Sequence, residues 1–248
     1  MQLQLIRNAT MRLNYGGKQL LLDPDLAPKH AREPLGGISN NPLVGLPMDT
    51  QDIIADLDAL LVSHLHQDHF DGVAREVLPK DLPVFCQPDD VPSISQSGFE
   101  QVLPIKDELI WETTRFSRTA AQHGLGKWAE ILAPVSGFVL QAAGEPTLYW
   151  AGDTVWYPAV QAVIDNFKPE VIIIHSSGAE LQDSGPIVMD VEQSVLVCRS
   201  APGATVVAVH LEALDHGKVS RDDLRVATEE AGVGERLSIP LDGEMLEF

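Results

Sequence analysis

A chain of 248 residues, 44% hydrophobic and 21% charged, is long enough to bury a full core and has the balance of an ordinary globular enzyme. Its formal net charge of -19 repels phosphate backbones and anionic lipid heads within a Debye length of about 8 Å, which disfavours nucleic acid and membrane surfaces as partners. No apolar run approaches the roughly 18–20 residues of a membrane span, and Cys86 and Cys198, the only cysteines, indicate no disulfide framework.

The first quarter predicts strands at Leu3–Arg7, Met11–Tyr15 and Gln19–Leu22, with Tyr15-Gly16-Gly17-Lys18 as a hairpin turn between the second and third. The opening Met1-Gln2-Leu3-Gln4-Leu5 lacks the basic start and apolar stretch of a signal peptide, so a cytoplasmic protein is expected. From Asp23 to about Asp52 the character changes, with Pro24, Pro28, Pro34, Pro42, Pro47 and the turn signal Asn40-Asn41-Pro42. A loop of about 30 residues is more often functional than idle, and a cover over the site is expected. Strands follow at Ala59–Val62, Val84–Cys86, Gly137–Gln141, Thr147–Ala151, Glu170–Ile174 and Thr205–Val209, with short strands around Trp111 in Glu100–Arg118. Helices are predicted at Asp71–Leu78, Val155–Asn166, Val191–Ser200 and Arg221–Ala231. Asp190 and Ser220 occupy N-cap positions of the last two, and Gly232 follows the final helix as a C-cap would. No linker or repeat divides the chain, so one domain over residues 1–248 is expected, built of sheets covered by helices.

The chemistry concentrates in His64-Leu65-His66-Gln67-Asp68-His69, directly after the apolar run Ala59–Val62. Imidazole and carboxylate are ligands that zinc and its first-row neighbours accept, and one turn of irregular backbone can aim them at two adjacent points. The bland alternative is a polar loop, but with eight histidines in 248 residues, three within six positions are improbable by chance. Three more strand-like runs end in a metal-competent residue: at His123 in Gln122-His123-Gly124, at Asp153 in Ala151-Gly152-Asp153-Thr154, and at His210 after Val206–Val209. Each alone reads as an ordinary loop histidine or helix cap. Together they make seven donors, a number that suits two cations sharing a carboxylate.

This pattern resembles the metallo-β-lactamase-fold hydrolases, and among them the L-ascorbate-6-phosphate lactonase-like branch. The resemblance spans essentially the whole chain, including Arg7-Asn8-Ala9-Thr10, Leu22-Asp23-Pro24, Ser136-Gly137-Phe138, Ala151-Gly152-Asp153-Thr154 and Val209-His210-Leu211-Glu212-Ala213-Leu214-Asp215-His216. It implies an α/β architecture, an αββα sandwich of two mixed β-sheets flanked by helices, with the site at one edge. It also implies one metal held by His64, His66 and His123, a second held by Asp68, His69 and His210, and Asp153 bridging them. The expected activity is hydrolysis by a metal-bound hydroxide of a small-molecule ester, a lactone first, with Asp68 orienting the nucleophile and no Ser or Cys nucleophile required. Zinc leads as the metal, with manganese and iron as alternatives.

Two other functional readings stand beside it: a phosphodiesterase or nuclease on the same fold, which would need a basic path this charge balance does not advertise, and a metal-holding binding or sensor domain without turnover. A homo-oligomer is compatible with the sequence. His216 reads either as a proton donor to the leaving group or as structural. His175 stands where the related branch would carry asparagine; it reads as a substrate-facing or supporting residue, an extra ligand, or a hydrogen-bonded loop histidine. Asp190 reads better as an N-cap than as a site carboxylate, His30 is a candidate for touching substrate, and Trp150 and Trp156 read as core or pocket wall.

Overall fold

The computed structural model describes residues 1–248. The first sheet collects β1 (Gln2–Arg7), β2 (Thr10–Tyr15), β3 (Lys18–Leu22), β4 (Ala59–Val62), β5 (Val84–Cys86) and β6 (Val102–Pro104). The second collects β7 (Glu108–Trp111), β8 (Thr114–Ala120), β9 (Ser136–Gln141), β10 (Leu148–Trp150), β11 (Val171–His175), β12 (Thr205–Val209) and β13 (Leu237–Ser238). The last strand, β14 (Met245–Glu247), returns to the first sheet and pairs antiparallel with β1. The resulting orders are β14-β1-β2-β3-β4-β5-β6 and β13-β12-β11-β10-β9-β8-β7, each with parallel and antiparallel neighbours.

The unbroken apolar runs of the central strands explain the layering, because a strand covered on both faces needs no polar alternation. In β4, Ala59 and Leu61 face the second sheet while Leu60 and Val62 face helices α1 (Thr50–Ile54), α2 (Gly72–Val77) and α3 (Val91–Gln96). In β11, Val171 and Ile173 join the core between the sheets, and Ile172 and Ile174 pack outward. That outer layer is completed by α5 (Pro158–Phe167), α6 (Val191–Ser200) and α7 (Arg221–Glu230), while α4 (Lys127–Ile131) follows β8. The αββα sandwich expected from sequence is the observed architecture.

Several local expectations change. The helix expected from Val155 begins at Pro158, whose ring disfavours helical backbone at the residue before it. β11 runs one residue further than expected, to include His175. The stretch from Asp23 is irregular up to Asp49, with one bridge between Arg32 and Asn41, and α1 then closes it. Asp190 caps α6, its carboxylate accepting from the Gln193 N–H at 2.9 Å, and Ser220 with Asp223 forms a capping box on α7. No helix is long and apolar enough to cross a membrane.

Candidate metal centre

β3 and β4 run parallel, as do β10, β11 and β12; β8 shares the direction of β10 because antiparallel β9 separates them. Donor residues therefore emerge at the carboxyl ends of like-directed strands: Asp23 after β3, His64 to His69 after β4, His123 after β8, Asp153 after β10 and His210 after β12. Gly152 makes the turn before Asp153 feasible, having φ +67° and room only for a hydrogen, since a Cβ there would lie 2.5 Å from the Ser136 carbonyl oxygen. His210 adopts φ 64°, a costly conformation outside glycine, and its N–H donates to the Asn8 carbonyl at 2.9 Å.

The structure brings the seven sequence-predicted donors together. One ligand atom from each of His64, His66, His123 and Asp153 lies within 4.8 Å of the others, and the same holds for His69, Asp153, His175 and His210. Asp153 belongs to both sets: its Oδ2 is 3.2 Å from His123 Nε2, 3.2 Å from His69 Nε2 and 3.8 Å from His64 Nε2. Asp68 Oδ2 approaches His210 Nε2 at 3.2 Å and His69 Nε2 at 3.3 Å. All except His66 and Asp68 are buried.

A second layer aims these rings, and sequence reasoning assigned it no role. Asp23 Oδ2 meets His69 Nδ1 at 2.6 Å and accepts from the Ser63 hydroxyl at 2.6 Å; Ser63 Oγ in turn meets His64 Nδ1 at 2.9 Å. The His123 Nδ1–H donates to the Ile187 carbonyl at 2.7 Å, and His210 Nδ1 lies 3.2 Å from Ser177 Oγ. Asn8 Nδ2 donates to the Asp68 backbone carbonyl at 3.2 Å, and Arg7, fully buried, donates to the carbonyls of Asp25, Ala27 and Val44 at the base of the long loop. The Arg7-Asn8 and Leu22-Asp23 motifs are thus supports for the donors and for the loop.

The donor chemistry fits metal. A carbonyl only accepts, so His123 carries its proton on Nδ1 and turns a bare Nε2 lone pair toward Asp153 Oδ2. Burial pushes the His123 imidazole down to about 4, which keeps it neutral despite Asp153. Burial, with His69 and His66 nearby, holds His64 well below its ordinary value. Burial opposes charge on Asp153, yet His69, His123 and His210 outweigh it and keep the carboxylate well below the usual range. Burial would also lower His69, but the carboxylates of Asp153, Asp68 and Asp23 prevail and raise it well above. His69 Nε2 is nonetheless buried without a hydrogen-bond partner. The bare Nε2 atoms of His123 and His64 face Asp153 Oδ2 at 3.2 and 3.8 Å, a repulsion that a divalent cation between them would relieve.

A cavity of about 650 Å³ opens onto this cluster. His66, Asp68, His123, Asp153 and His210 line its floor, and Leu132, Ala179, Leu181, Ile187 and Val188 form an apolar wall. The long loop contributes Arg32, Glu33, Pro34, Leu35 and Asn41 to another side. His216 lines the cavity, with its Nδ1 buried and unpartnered. His30 is exposed and lies outside the lining, as does Asp190 in its capping role. His175 is buried, with one nitrogen 2.6 Å from Asp153 Oδ1 and the other accepting from the Trp150 indole N–H at 3.1 Å, so it faces the donor cluster from behind and does not line the cavity. Trp150 is core, and Trp156 is half-buried against the outer layer of the second sheet.

Comparison with known proteins agrees with this geometry. The β-lactamase superfamily domain matches residues 19–211. UPF0173 protein YddR of Bacillus subtilis is 36% identical over 254 residues, covering 100% of both chains. Among solved structures, isothiocyanate hydrolase from Delia radicum gut bacteria superposes with a TM-score of 0.94 at 35% identity, covering 100% of this chain and 99% of that one. A protein from Veillonella parvula, described as a possible metal-dependent hydrolase, does so with a TM-score of 0.96 at 31% identity over 99% and 98%. Donors gathered at one edge of an αββα sandwich and full-length likeness to these proteins lead to one family: the chain belongs to the β-lactamase superfamily, as a metal-dependent hydrolase.

Proposed function

We propose that this hydrolase works with two divalent cations on a small, uncharged electrophile with an apolar body, an isothiocyanate as the first reading. The observation that carries the substrate class is the cavity itself. Its wall of Leu132, Leu181, Ile187 and Val188 suits a hydrocarbon group. Its one permanent cation, Arg32, is already held by Asp25 through two contacts of 2.7 Å. Glu33 adds negative charge and no basic side chain of the lining is free, so a phosphodiester would find no partner beside the cations themselves. The relative named for isothiocyanate hydrolysis, alike over its full length, favours that electrophile. A lactone is the second reading, favoured by the same uncharged wall.

In this proposal His64, His66 and His123 hold one cation, Asp68, His69 and His210 the other, and Asp153 serves both, with zinc first and manganese or iron as alternatives. Cations bound there would polarise the electrophilic group and lower the pKa of a water molecule. The protein's own residues do the rest. Asp68, fixed by Asn8, orients the attacking water. The apolar wall packs the hydrocarbon and excludes bulk water. His216 gives a proton to the leaving atom: the nitrogen of an isothiocyanate, which departs as the amine as carbonyl sulfide forms, or the ring oxygen of a lactone. The 23–52 loop covers the site through Arg32 to Leu35. A cytoplasmic location belongs to the same reading, supported by Cys86 and Cys198 remaining buried free thiols.

The test is a hydrolysis panel on zinc- and manganese-loaded protein with alkyl and aryl isothiocyanates, lactones and phosphodiesters, beside Asp153→Ala. Turnover of uncharged substrates that vanishes in the variant together with its metal supports the proposal. Preferential turnover of phosphodiesters overturns the substrate class, and metal-loaded protein silent on the whole panel favours a binding role.

A further inference from the structure

We infer that His175 is a positioning residue for Asp153: the indole N–H of Trp150 fixes its tautomer, so that it donates to Asp153 Oδ1 and leaves Oδ2 as the oxygen facing both donor sets. The inference rests on the reading that Asp153 serves two cations. It concerns a residue standing where asparagine is expected from the resemblance.

The tautomer follows from a chain of obligatory partners. An indole N–H can only donate, and Trp150 Nε1 lies 3.1 Å from His175 Nε2, both groups buried. Nε2 must therefore be bare, so a neutral ring carries its proton on Nδ1. That nitrogen is 2.6 Å from Asp153 Oδ1, the short distance of a donor meeting a carboxylate. The opposite tautomer would set a lone pair against Oδ1 and an N–H against an N–H. Both nitrogens are spent, so His175 has none left for a cation, although it lies within reach of His69, Asp153 and His210.

The consequence falls on Asp153. Oδ1 is taken up by His175 at 2.6 Å and comes no nearer than 3.8 Å to a donor, His210 Nε2, while Oδ2 lies 3.2–3.8 Å from His64 and His123 of one set and from His69 of the other. A carboxylate free to rotate could chelate one cation with both oxygens and release its neighbour. Held by His175, it presents one oxygen to both sides. Partners of this kind behind a metal ligand are worth roughly 10–100-fold in metal affinity or activity.

The experiment uses zinc-loaded wild type, His175→Leu, His175→Asn and Trp150→Phe. Zinc affinity is read by competition with a chromophoric chelator, and the His175 ring by nitrogen-15 NMR. Wild type should show Nδ1 protonated. His175→Leu should hold the more weakly bound zinc about 10–100-fold less tightly. His175→Asn, whose amide nitrogen can replace Nδ1 as donor, should restore most of that loss, a rescue that mere packing of the site would not produce. Trp150→Phe removes neither ligand nor ring, yet should weaken zinc by an intermediate factor and admit the Nε2-protonated form.

A ring protonated on Nε2 in wild type, or wild-type zinc affinity in folded His175→Leu, overturns the inference. If His175→Leu does not fold, Trp150→Phe decides: unchanged affinity and tautomer overturn it. Wild-type protein that takes up only one zinc, or none, overturns instead the two-cation reading beneath it, and the tautomer measurement keeps the two failures apart.

Discussion

Among the histidines around the cavity, His64, His69, His123 and His210 each have Nδ1 engaged by a hydroxyl, carboxylate or carbonyl, whereas the Nδ1 of His216 is buried and unpartnered. In the proposed reading that difference leaves His216 free to handle a proton. His216→Ala should keep its full metal content while turnover falls about 10²–10⁴-fold, the usual worth of a positioned acid or base; metal analysis beside kinetics checks this, and loss of metal would move His216 into the ligand set. A second residue-scale prediction lies outside the site. Burial raises the Asp90 carboxyl to about 6, although Gln87 donates to it at 3.0 Å. The unfolded carboxyl titrates near 4, so the folded protein binds the extra proton between roughly 4 and 6 and stability is lost as pH rises through that window. Asp90→Asn keeps the acceptor without the charge and should stabilise the protein by roughly 1–3 kcal/mol at pH 7.5 and little at pH 4, read from denaturant melts. Much of the donor set was legible in sequence because metal chemistry restricts residue types and strand ends restrict placement. Asp23, Ser63 and Asn8 were not, since a lone aspartate, serine or asparagine beside a strand looks like turn chemistry until the fold brings a histidine to it.

At the scale of elements, the irregular stretch after β3 is tied down in its middle. Asp215 accepts from the backbone N–H groups of Leu35, Gly36, Ile38 and Ser39 and from the Asn41 amide at 2.8–3.3 Å. Although burial opposes it, these donors hold the Asp215 carboxyl well below its ordinary value. Asp215→Ala removes the anchor of the wall formed by Arg32 to Leu35. Its KM should rise several-fold and its substrate preference broaden while metal content stays whole, because no donor of the centre depends on Asp215 directly; kinetics across substrates of increasing length, with metal analysis, test this. Unfolding of the variant would make the segment structural, and the cover reading would fail. The central strands and α6 were readable from sequence almost to the residue, since long apolar runs and caps give sharp edges. α1, α3 and α4, of five or six residues each, were not anticipated, being too short to display a helical period.

At the scale of the molecule, the layer arrangement was legible from alternation of strand and helix, but the return of β14 to pair with β1 was not, because its three residues carry no pattern that names a partner. The sandwich also divides the centre. His64, His66, Asp68 and His69 follow a strand of the first sheet, whereas His123, Asp153 and His210 follow strands of the second. Metal that binds across this division stabilises the folded state by about 4 kcal/mol when free metal is 1,000-fold above its dissociation constant. Stripping it with a chelator should lower the melting temperature by about 8–16 °C for a chain of this length, and restored zinc should reverse the loss; an unchanged melt would mean the cluster holds no cation worth its burial. Before the two layers dock, an arriving cation would find only four of the seven donors on one side and three on the other, so the full set of donors exists only in the folded chain. Which metal it carries then becomes a matter of timing and supply in the compartment where folding finishes, as much as of the ligands themselves.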